Sequence, residues 1–206
     1  MKVQNNKAAL TGTIVSDFEY SHEMYGEKFY TVFVESERTS GNKDVLKVMV
    51  SDRLMNVKES HVGQRVLIHG EFRSNRNDKG LLIFLFTQDI QILDEMQSGL
   101  DDNSIEIRGI IVKKPFHRVV PKGNRDIGDT VIAVHRGYNR SDYLPCIIWG
   151  RNSRFATTLE VGTEVIVSGR MQSREYVKHI SDTETETRVA YEVSIEKIDV
   201  AEREGK

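Results

Sequence analysis

The chain has 206 residues, of which 38% are hydrophobic and 29% charged, a composition typical of one large or two small globular domains. Its 29 Lys and Arg nearly balance 31 Asp and Glu, so the overall charge excludes a strongly basic nucleic-acid coat and an acidic disordered protein. The single cysteine, Cys146, cannot form an internal disulfide and fits a reducing compartment. The longest apolar run, residues 81–86, is too short to span a bilayer, and the start lacks an apolar signal segment. We therefore expect a cytoplasmic protein with no membrane partner.

The sequence repeats at an interval of about one hundred residues. Residues 62–74 match residues 161–173 without a gap, with five identities in thirteen positions, and residues 10–15 match residues 107–112. Between the copies, residues 94–103 are polar and contain Gly99 and the paired acids Asp101 and Asp102, which is the composition of a solvated linker. The repeat predicts an N-terminal unit over residues 1–97 and a C-terminal unit over residues 104–201.

Short runs rich in Val, Ile, Thr, Phe and Tyr recur between turn signals, a pattern that predicts an all-β protein. The predicted strands of the first copy lie near residues 8–20, 29–38, 45–51, 64–75 and 81–93. Those of the second copy lie near residues 105–118, 129–137, 143–149, 163–177 and 188–200. Five strands in each copy is the number found in small barrels.

The connection between the third and fourth strands of each copy predicts a short helix. Residues 52–61 and 151–160 both open on polar residues and carry an apolar stripe, Leu54 and Val57 in one copy and Phe155 and Leu159 in the other. Five strands with a helix at this point form the oligonucleotide/oligosaccharide-binding (OB) topology. The fold expected from the sequence is therefore two tandem five-stranded OB barrels, each with a short helix between strands 3 and 4.

Three strand motifs of the second copy follow one another at a characteristic spacing. They are TVIAVHRGY at residues 130–138, DYLPCIIWGR at residues 142–151 and VGTEVIVSGRMQSREY at residues 161–176. Together they resemble the bacterial single-stranded DNA-binding protein family, over about 95 residues of the second copy. The resemblance implies bases stacked on aromatic rings along a basic groove, and four aromatic residues match the stacking positions of the family: Tyr138, Tyr143, Trp149 and Tyr176. A protein that reads no base edges can use the ring face and the phosphate that every nucleotide shares. The alternative for each of these rings is a place in the barrel core.

The charge of the second copy supports the same interpretation. Residues 105–180 contain thirteen Lys and Arg against seven Asp and Glu, a net charge of +6 within a nearly neutral chain. Five arginines flank the aromatic positions and are the candidate phosphate contacts: Arg136, Arg140, Arg151, Arg170 and Arg174. Each of them taken alone is equally consistent with a solvated surface charge.

The first copy lacks aromatic residues at the four corresponding positions, which are Arg38, Val45, Ser51 and Asn77. We expect this degenerate copy to bind single strands weakly or not at all on that face. The run at residues 81–86 is apolar on both faces of a predicted strand, which suggests that its outer face is covered by the second copy or by another chain. The first copy is therefore a candidate assembly module.

The resemblance also implies assemblies that present four barrels, which two copies of this chain would supply as a homodimer. Members of the family often end in a flexible tail with an acidic, apolar tip that recruits replication and repair enzymes. The last nine residues, 198–206, contain no such tip, so we expect recruitment by that route to be absent. This favours an auxiliary, phage or mobile-element role.

No pattern of catalytic residues is present. The chain has no phosphate-binding loop, and its histidines lack the spacing of metal ligands: His22, His61, His69, His117, His135 and His179. We expect no enzyme activity, no metal and no cofactor. The function expected is sequence-independent binding of single-stranded DNA in replication, repair or recombination. The alternatives are a primosome-like accessory that docks proteins and binds nucleic acid weakly, and an RNA-binding protein, because stacking does not distinguish ribose from deoxyribose.

Overall fold

The structure, a computed structural model, describes residues 5–77, 80–94, 101–120, 125–137, 139–181 and 184–202. It is almost entirely β, as predicted. The N-terminal half contains six strands: β1 (Asn6–Ile14), β2 (Glu19–Met24), β3 (Glu27–Glu37), β4 (Lys43–Ser51), β5 (Arg65–Asn77) and β6 (Gly80–Ile92). The C-terminal half contains five strands and a helix: β7 (Asn103–Val120), β8 (Arg125–His135), β9 (Ser141–Trp149), α1 (Arg151–Ala156), β10 (Glu164–His179) and β11 (Thr185–Val200).

Strand pairing runs in a circuit within each half. In the N-terminal half, β1 pairs with β3, β3 with β4, β4 in parallel with β6, β6 with β5, and β5 again with β1. In the C-terminal half, β7 pairs with β8, β8 with β9, β9 in parallel with β11, β11 with β10, and β10 again with β7. The two circuits follow the same order, as the sequence repeat predicts.

Alternate residues of the strands fill a core that extends through both halves. Val32 and Val34 of β3 and Ile132 and Val134 of β8 are buried in this cluster, while the residues between them are partly exposed. This alternation places one face of each strand inward and the other toward solvent. The outward faces of these strands are therefore the ones that can carry a binding surface.

Glycine occurs where two strands approach too closely for a side chain. Gly70 and Gly169, which are equivalent in the repeat, lie at register shifts of β5 and β10. A Cβ atom at Gly70 would overlap the carbonyl oxygen of Phe86, and one at Gly169 would overlap that of Ser194. Only glycine lets the backbones pass at these two bulges.

The halves are joined by antiparallel pairing of their first strands. Asn6 of β1 lies opposite Ile107 of β7, and Leu10 lies opposite Asn103, so the pairing is centred on Ala8 and Ile105. A residue of β1 and its repeat equivalent in β7 lie on opposite sides of this centre, so the interface has an approximate two-fold symmetry. One sheet of eleven strands results.

Two hydrogen-bonded clasps hold the halves together on either side of this strand pair. Asp44 Oδ1 accepts a hydrogen bond from the backbone N–H of Ser173 at 3.0 Å, and the Ser173 hydroxyl accepts one from the N–H of Val45 at 3.0 Å. On the other side, Asp142 Oδ1 accepts from the N–H of Ser74 at 2.8 Å. Both aspartates are buried, so each satisfies backbone donors that water cannot reach.

The predicted first strand of the N-terminal half is wrong in its extent. The strand ends at Ile14, and a separate strand β2 follows at Glu19–Met24, so this half has six strands rather than five. The break lies at Ser16, whose hydroxyl accepts a hydrogen bond from the N–H of Phe33 at 2.9 Å. In the C-terminal half the equivalent strand β7 absorbs two register shifts and continues to Val120.

The predicted helix between the third and fourth strands occurs only in the C-terminal half. There α1 begins at Arg151 after Gly150, which has a φ of 60°, and its buried residues are Ser153 and Ala156 while Phe155 is exposed. The equivalent segment of the N-terminal half, residues 52–60, forms turns. Here a polar side chain binds a backbone N–H group: the hydroxyl of Ser51 accepts a hydrogen bond from the N–H of Arg53 at 3.1 Å. Such local bonds compete with a helix.

The apolar run at residues 81–86 is largely buried within a single chain. Ile83 and Leu85 enter the main core, and Phe84 joins Phe29 and Met49 in a small second cluster on the other side of β6. Leu82 and Phe86 are partly buried against that cluster. The second cluster accounts for apolar residues on both faces of this strand.

Candidate nucleic-acid interface

A groove of about 950 Å³ lies between the two halves. Its first wall is the tip of the β3–β4 hairpin, with residues 36–40 and Asn42. Its second wall belongs to the C-terminal half: Asn103, Ser104, Arg125, Trp149, Gly169, Arg170, Ile195 and Glu196. Asp101 and Asp102 also line it. Of the nine site residues predicted from the sequence, Trp149 and Arg170 line this groove.

Trp149 is fixed at the end of β9. Its indole Nε1 donates a hydrogen bond to the hydroxyl of Ser194 at 2.9 Å, and Ser194 is fully buried in β11. The ring itself is partly buried and forms part of the groove wall. An indole held by its N–H presents its π-face in one orientation, which suits it for stacking on a flat ligand.

Arg170 lies beside Trp149, because it lies opposite Ser194 in β11, the residue whose hydroxyl accepts the hydrogen bond from the indole. Its guanidinium makes two long contacts, to Gln172 Oε1 at 3.3 Å and to Glu196 Oε1 at 3.4 Å. Nε is buried without a hydrogen-bond partner in the described part of the chain. Burial, and next the charge of Arg38, lower the pKa of Arg170 below its usual value. This is the electrostatic condition of a cation that an anion would stabilise.

Arg38 reaches the same groove from the N-terminal half. Its Nε donates to Asp44 Oδ2 at 2.6 Å and its Nη2 to Oδ1 at 2.5 Å, a bidentate pair with a fully buried carboxylate. The hydrogen bonds to Asp44 raise the pKa of Arg38 above its usual value. Arg38 is therefore charged and held rigidly, at the position where the repeat places Tyr138 in the other half.

Tyr143 and Tyr176 lie outside the groove. Tyr143 is on the same face of β9 as Trp149, six residues away, and is 50% exposed; its N–H donates to the Ser74 hydroxyl at 2.7 Å. Tyr176 is 37% exposed on the long β10–β11 hairpin, six residues beyond Arg170 and so about 20 Å from it along the strand. The guanidinium of Arg174 lies 6.0 Å from the centre of the Tyr176 ring.

The remaining predicted residues differ in their freedom to bind an anion. Arg136 is partly buried and contacts Asp142 at 3.3 Å, and Arg174 contacts Glu192 at 3.3 Å. Arg140 is exposed in the β8–β9 turn, and Arg151 is exposed as the first residue of α1. The predicted stacking residue Tyr138 lies outside the described residues, as does the side chain of Asn77, the first-copy equivalent of Tyr176.

Strand register adds residues that the sequence interpretation missed. Arg118 of β7 lies opposite Ile127 of β8, and Ile127 lies opposite Trp149 of β9. Two residues along the strands, Phe116 of β7 lies opposite Asp129 of β8. Residues opposite each other in antiparallel strands share a face of the sheet, so Phe116 and Arg118 share the face of Trp149. Phe116 is 64% exposed. The signal available in the sequence was an aromatic residue within the basic run KKPFHR.

The prediction that Asp101 is a solvated linker residue is wrong. Its side chain is buried, forms an ion pair with Arg65 at 2.7 Å and accepts a hydrogen bond from the N–H of Glu37 at 2.7 Å. The linker composition gave no indication of this, because the partners come from distant parts of the N-terminal half. The pairing neutralises one of the acids that line the groove.

Comparison with protein families now identifies the C-terminal half. Residues 102–200 match the model of the single-strand binding protein family. This half of the chain belongs to that family. The matched segment contains Trp149, Arg170, Phe116 and Arg118, so the C-terminal wall of the groove lies within the single-strand binding protein region. No curated protein matches the chain in a sequence comparison.

Solved structures extend the similarity to the whole chain. The wild-type single-stranded DNA binding protein from Thermus aquaticus matches with a TM-score of 0.78 and 16% identity, over 98% of this chain and 95% of that one. A deletion mutant of the same protein matches with a TM-score of 0.76 and 16% identity, over 98% and 96%. Both halves therefore share the fold of that single-strand binding protein. The dimeric N-terminal domain of PriB protein from Thermoanaerobacter tencongensis has 38% identity over 44% of this chain and 98% of that one, with a TM-score of 0.40.

The described residues offer little that points to other chemistry. They contain no group of three or more His, Cys, Asp or Glu placed to hold a metal ion. Cys146 is fully enclosed in the core, and this burial raises the pKa of its thiol. No helix in the part of the chain described is long and apolar enough to cross a membrane.

Proposed function

We propose that this protein binds single-stranded DNA without sequence preference, mainly through residues 104–201, and catalyses no reaction. The observation that carries the proposal is the pairing of Trp149 with Arg170 in an open groove, within the half that belongs to the single-strand binding protein family. A fixed indole and a cation with a free donor match the base face and the phosphate of any nucleotide.

The proposed binding surface contains the nine residues predicted from the sequence. The aromatic members, Tyr138, Tyr143, Trp149 and Tyr176, stack on bases, while Arg136, Arg140, Arg151, Arg170 and Arg174 contact phosphates. Stacking contributes about 1–3 kcal/mol per base, so several rings together give useful affinity even where each phosphate contact is weak. The net charge of +6 in residues 105–180 adds attraction that salt weakens.

The two strand circuits and the assembly of the chain are the next part of the proposed function. We propose that the two strand circuits are tandem OB barrels, a degenerate one in residues 1–97 and a binding one in residues 104–201, and that two chains form a homodimer with four barrels. Leu81 is 48% exposed beside the partly buried Leu82, so the second apolar cluster leaves surface for a second copy. The proposed role is in replication, repair or recombination of DNA in the cytoplasm.

Titration with oligonucleotides tests the function directly. We expect oligo-dT to quench the emission of Trp149, because a stacked base alters the surroundings of the only tryptophan in the chain. The affinity should fall steeply as salt rises, with the logarithm of the binding constant linear in the logarithm of the salt concentration. The measurement is a fluorescence titration at two or more salt concentrations, with oligo-U in parallel.

Two outcomes would contradict the proposal. Tighter binding of oligo-U than of oligo-dT would indicate an RNA-binding protein instead. Unchanged Trp149 emission, with no binding of a labelled oligonucleotide by anisotropy, would indicate a protein-docking accessory. The labelled oligonucleotide is needed because it reports binding at any surface of the chain.

Phe116 provides a test of the extent of the surface. Replacing it by Ala should weaken oligo-dT binding by roughly 2- to 10-fold, near the lower end of the effect of one stacking ring, because the side chain lies at the edge of the proposed surface. Tyr20→Ala is the control, since Tyr20 is similarly exposed but lies on β2 of the other half. Equal effects of the two substitutions, measured by anisotropy, would exclude a specific contribution of Phe116.

A further inference from the structure

We propose that Arg38 of the N-terminal half and Arg170 of the C-terminal half hold one phosphate of a single strand whose base stacks on Trp149. The binding site then spans both halves, although the N-terminal half lacks the aromatic positions. This inference rests on the proposed function and assigns a specific role to the degenerate half.

The first support is the position of the two guanidiniums. Arg38 and Arg170 both line the groove that Trp149 also lines, and each comes from a different half. Arg38 is bound to Asp44, which accepts a hydrogen bond from the N–H of Ser173, three residues from Arg170 on β10. Two cations brought together by the fold repel each other, and an anion between them removes that repulsion.

The second support is the hydrogen-bonding state of Arg170. Its buried Nε has no partner among the described residues, and its other contacts are 3.3 and 3.4 Å long. A buried donor without a partner costs free energy that a ligand acceptor would recover. Phosphate oxygens suit this donor because a guanidinium can bind two of them at once.

The third support is the rigidity of Arg38. Its bidentate pair with Asp44 leaves Nη1 without a bond to that carboxylate, and Asp44 is itself fixed to the N–H of Ser173 in the other half. The fold thus holds the Arg38 guanidinium in place before any ligand arrives. A preorganised cation loses little conformational entropy on binding.

The acids of the groove compete only weakly with a phosphate. Asp101 is neutralised by Arg65, and Glu37 and Asp102 are exposed to solvent. Glu196 is 66% exposed and contacts Arg170 only at 3.4 Å, so a phosphate can replace it. Because the Glu196 carboxylate competes with the phosphate for Arg170, Glu196→Gln should bind oligo-dT more tightly than the unaltered protein.

The test is a double-mutant cycle on binding of labelled oligo-dT by the full chain. Arg38→Gln and Arg170→Gln should each weaken binding by about tenfold, as expected for loss of one hydrogen bond to a charged group. Each should also reduce, by about 0.7, the steepness of the fall in the logarithm of the binding constant with the logarithm of the salt concentration. The double variant should lose less than the product of the single losses, because both arginines contact one phosphate. Arg53→Gln, an equal change of charge on an exposed arginine of the N-terminal half, is the control.

Because Arg38→Gln leaves Asp44 buried without its cation, Arg38→Lys serves as a second variant. Lysine keeps the charge beside Asp44 but lacks the planar fork, so it should fold and still bind less tightly than the parent. If Arg38→Gln and Arg38→Lys bind like the parent with an unchanged salt slope, while Trp149→Ala is weakened, the shared phosphate site is wrong and the proposed function stands. If the unaltered protein does not bind oligo-dT, both are wrong. Fully multiplicative losses would also overturn the shared site.

Discussion

Replacing Asp44 by Ala should lower the free energy of unfolding by about 2–4 kcal/mol. The carboxylate is fully buried and accepts hydrogen bonds from two nitrogens of Arg38 and from the N–H of Ser173. Its removal leaves a partly buried guanidinium without its anion and a backbone donor without its acceptor. The loss lies toward the lower part of the range for buried ion pairs because Arg38 reaches the solvent of the groove.

Urea unfolding followed by Trp149 fluorescence and by circular dichroism measures this effect. The expected loss corresponds to a fall in the melting temperature of about 4–16 °C for a chain of this size. Glu35→Ala is the matched control, since Glu35 forms an ion pair of 2.7 Å with Lys43 on the exposed side of the same hairpin. Exposed pairs contribute about 0–1 kcal/mol, so the control should be nearly neutral. Equal stability of the two variants would mean that the clasp between the halves does not contribute to folding.

Replacing Trp149 by Ala should weaken single-stranded DNA binding by about 5- to 150-fold, the range for loss of one stacking ring. The ring forms part of the groove wall and its orientation is fixed by the bond from Nε1 to the Ser194 hydroxyl. Since the substitution removes the only tryptophan, binding is measured by anisotropy of a labelled oligonucleotide.

A second variant separates stacking from support of the fold. Trp149→Phe keeps an aromatic face and loses the hydrogen bond to Ser194, so it should retain most of the affinity. Both variants should show the circular dichroism spectrum of the parent. Loss of folded structure in Trp149→Ala would mean that the indole is primarily a core residue, and an affinity equal to that of the parent would remove it from the binding surface.

The strands could be predicted from the sequence because alternate burial leaves a period of two in the residues. Strands such as β8, with Ile132 and Val134 buried and their neighbours partly exposed, show this period clearly. Strand β2 does not, because all six of its residues are exposed, and the prediction merged it with β1. The turns at residues 52–60 were predicted as a helix because an apolar stripe is visible in a sequence, whereas the capture of a backbone N–H by Ser51 is not.

The candidate site was predictable in its residue types and only partly in its arrangement. The aromatic and arginine positions of the C-terminal half follow from the repeat and from the family motifs. Phe116 was missed because its place opposite Asp129 depends on two register shifts in β7. Asp101 was misread because its partner Arg65 is far away in the sequence.

The sequence by itself determined that this protein is a repeated all-β chain whose second copy is net basic and has aromatic residues at four motif positions that are not aromatic in the first copy, because strand periodicity and residue chemistry are local properties. The tertiary structure decided that Trp149 and Arg170 share a groove with Arg38 of the first copy. That arrangement follows from the pairing of β1 with β7 and from the clasps of Asp44 and Asp142. Contacts between distant strands depend on register and packing across the whole molecule, which no local pattern specifies.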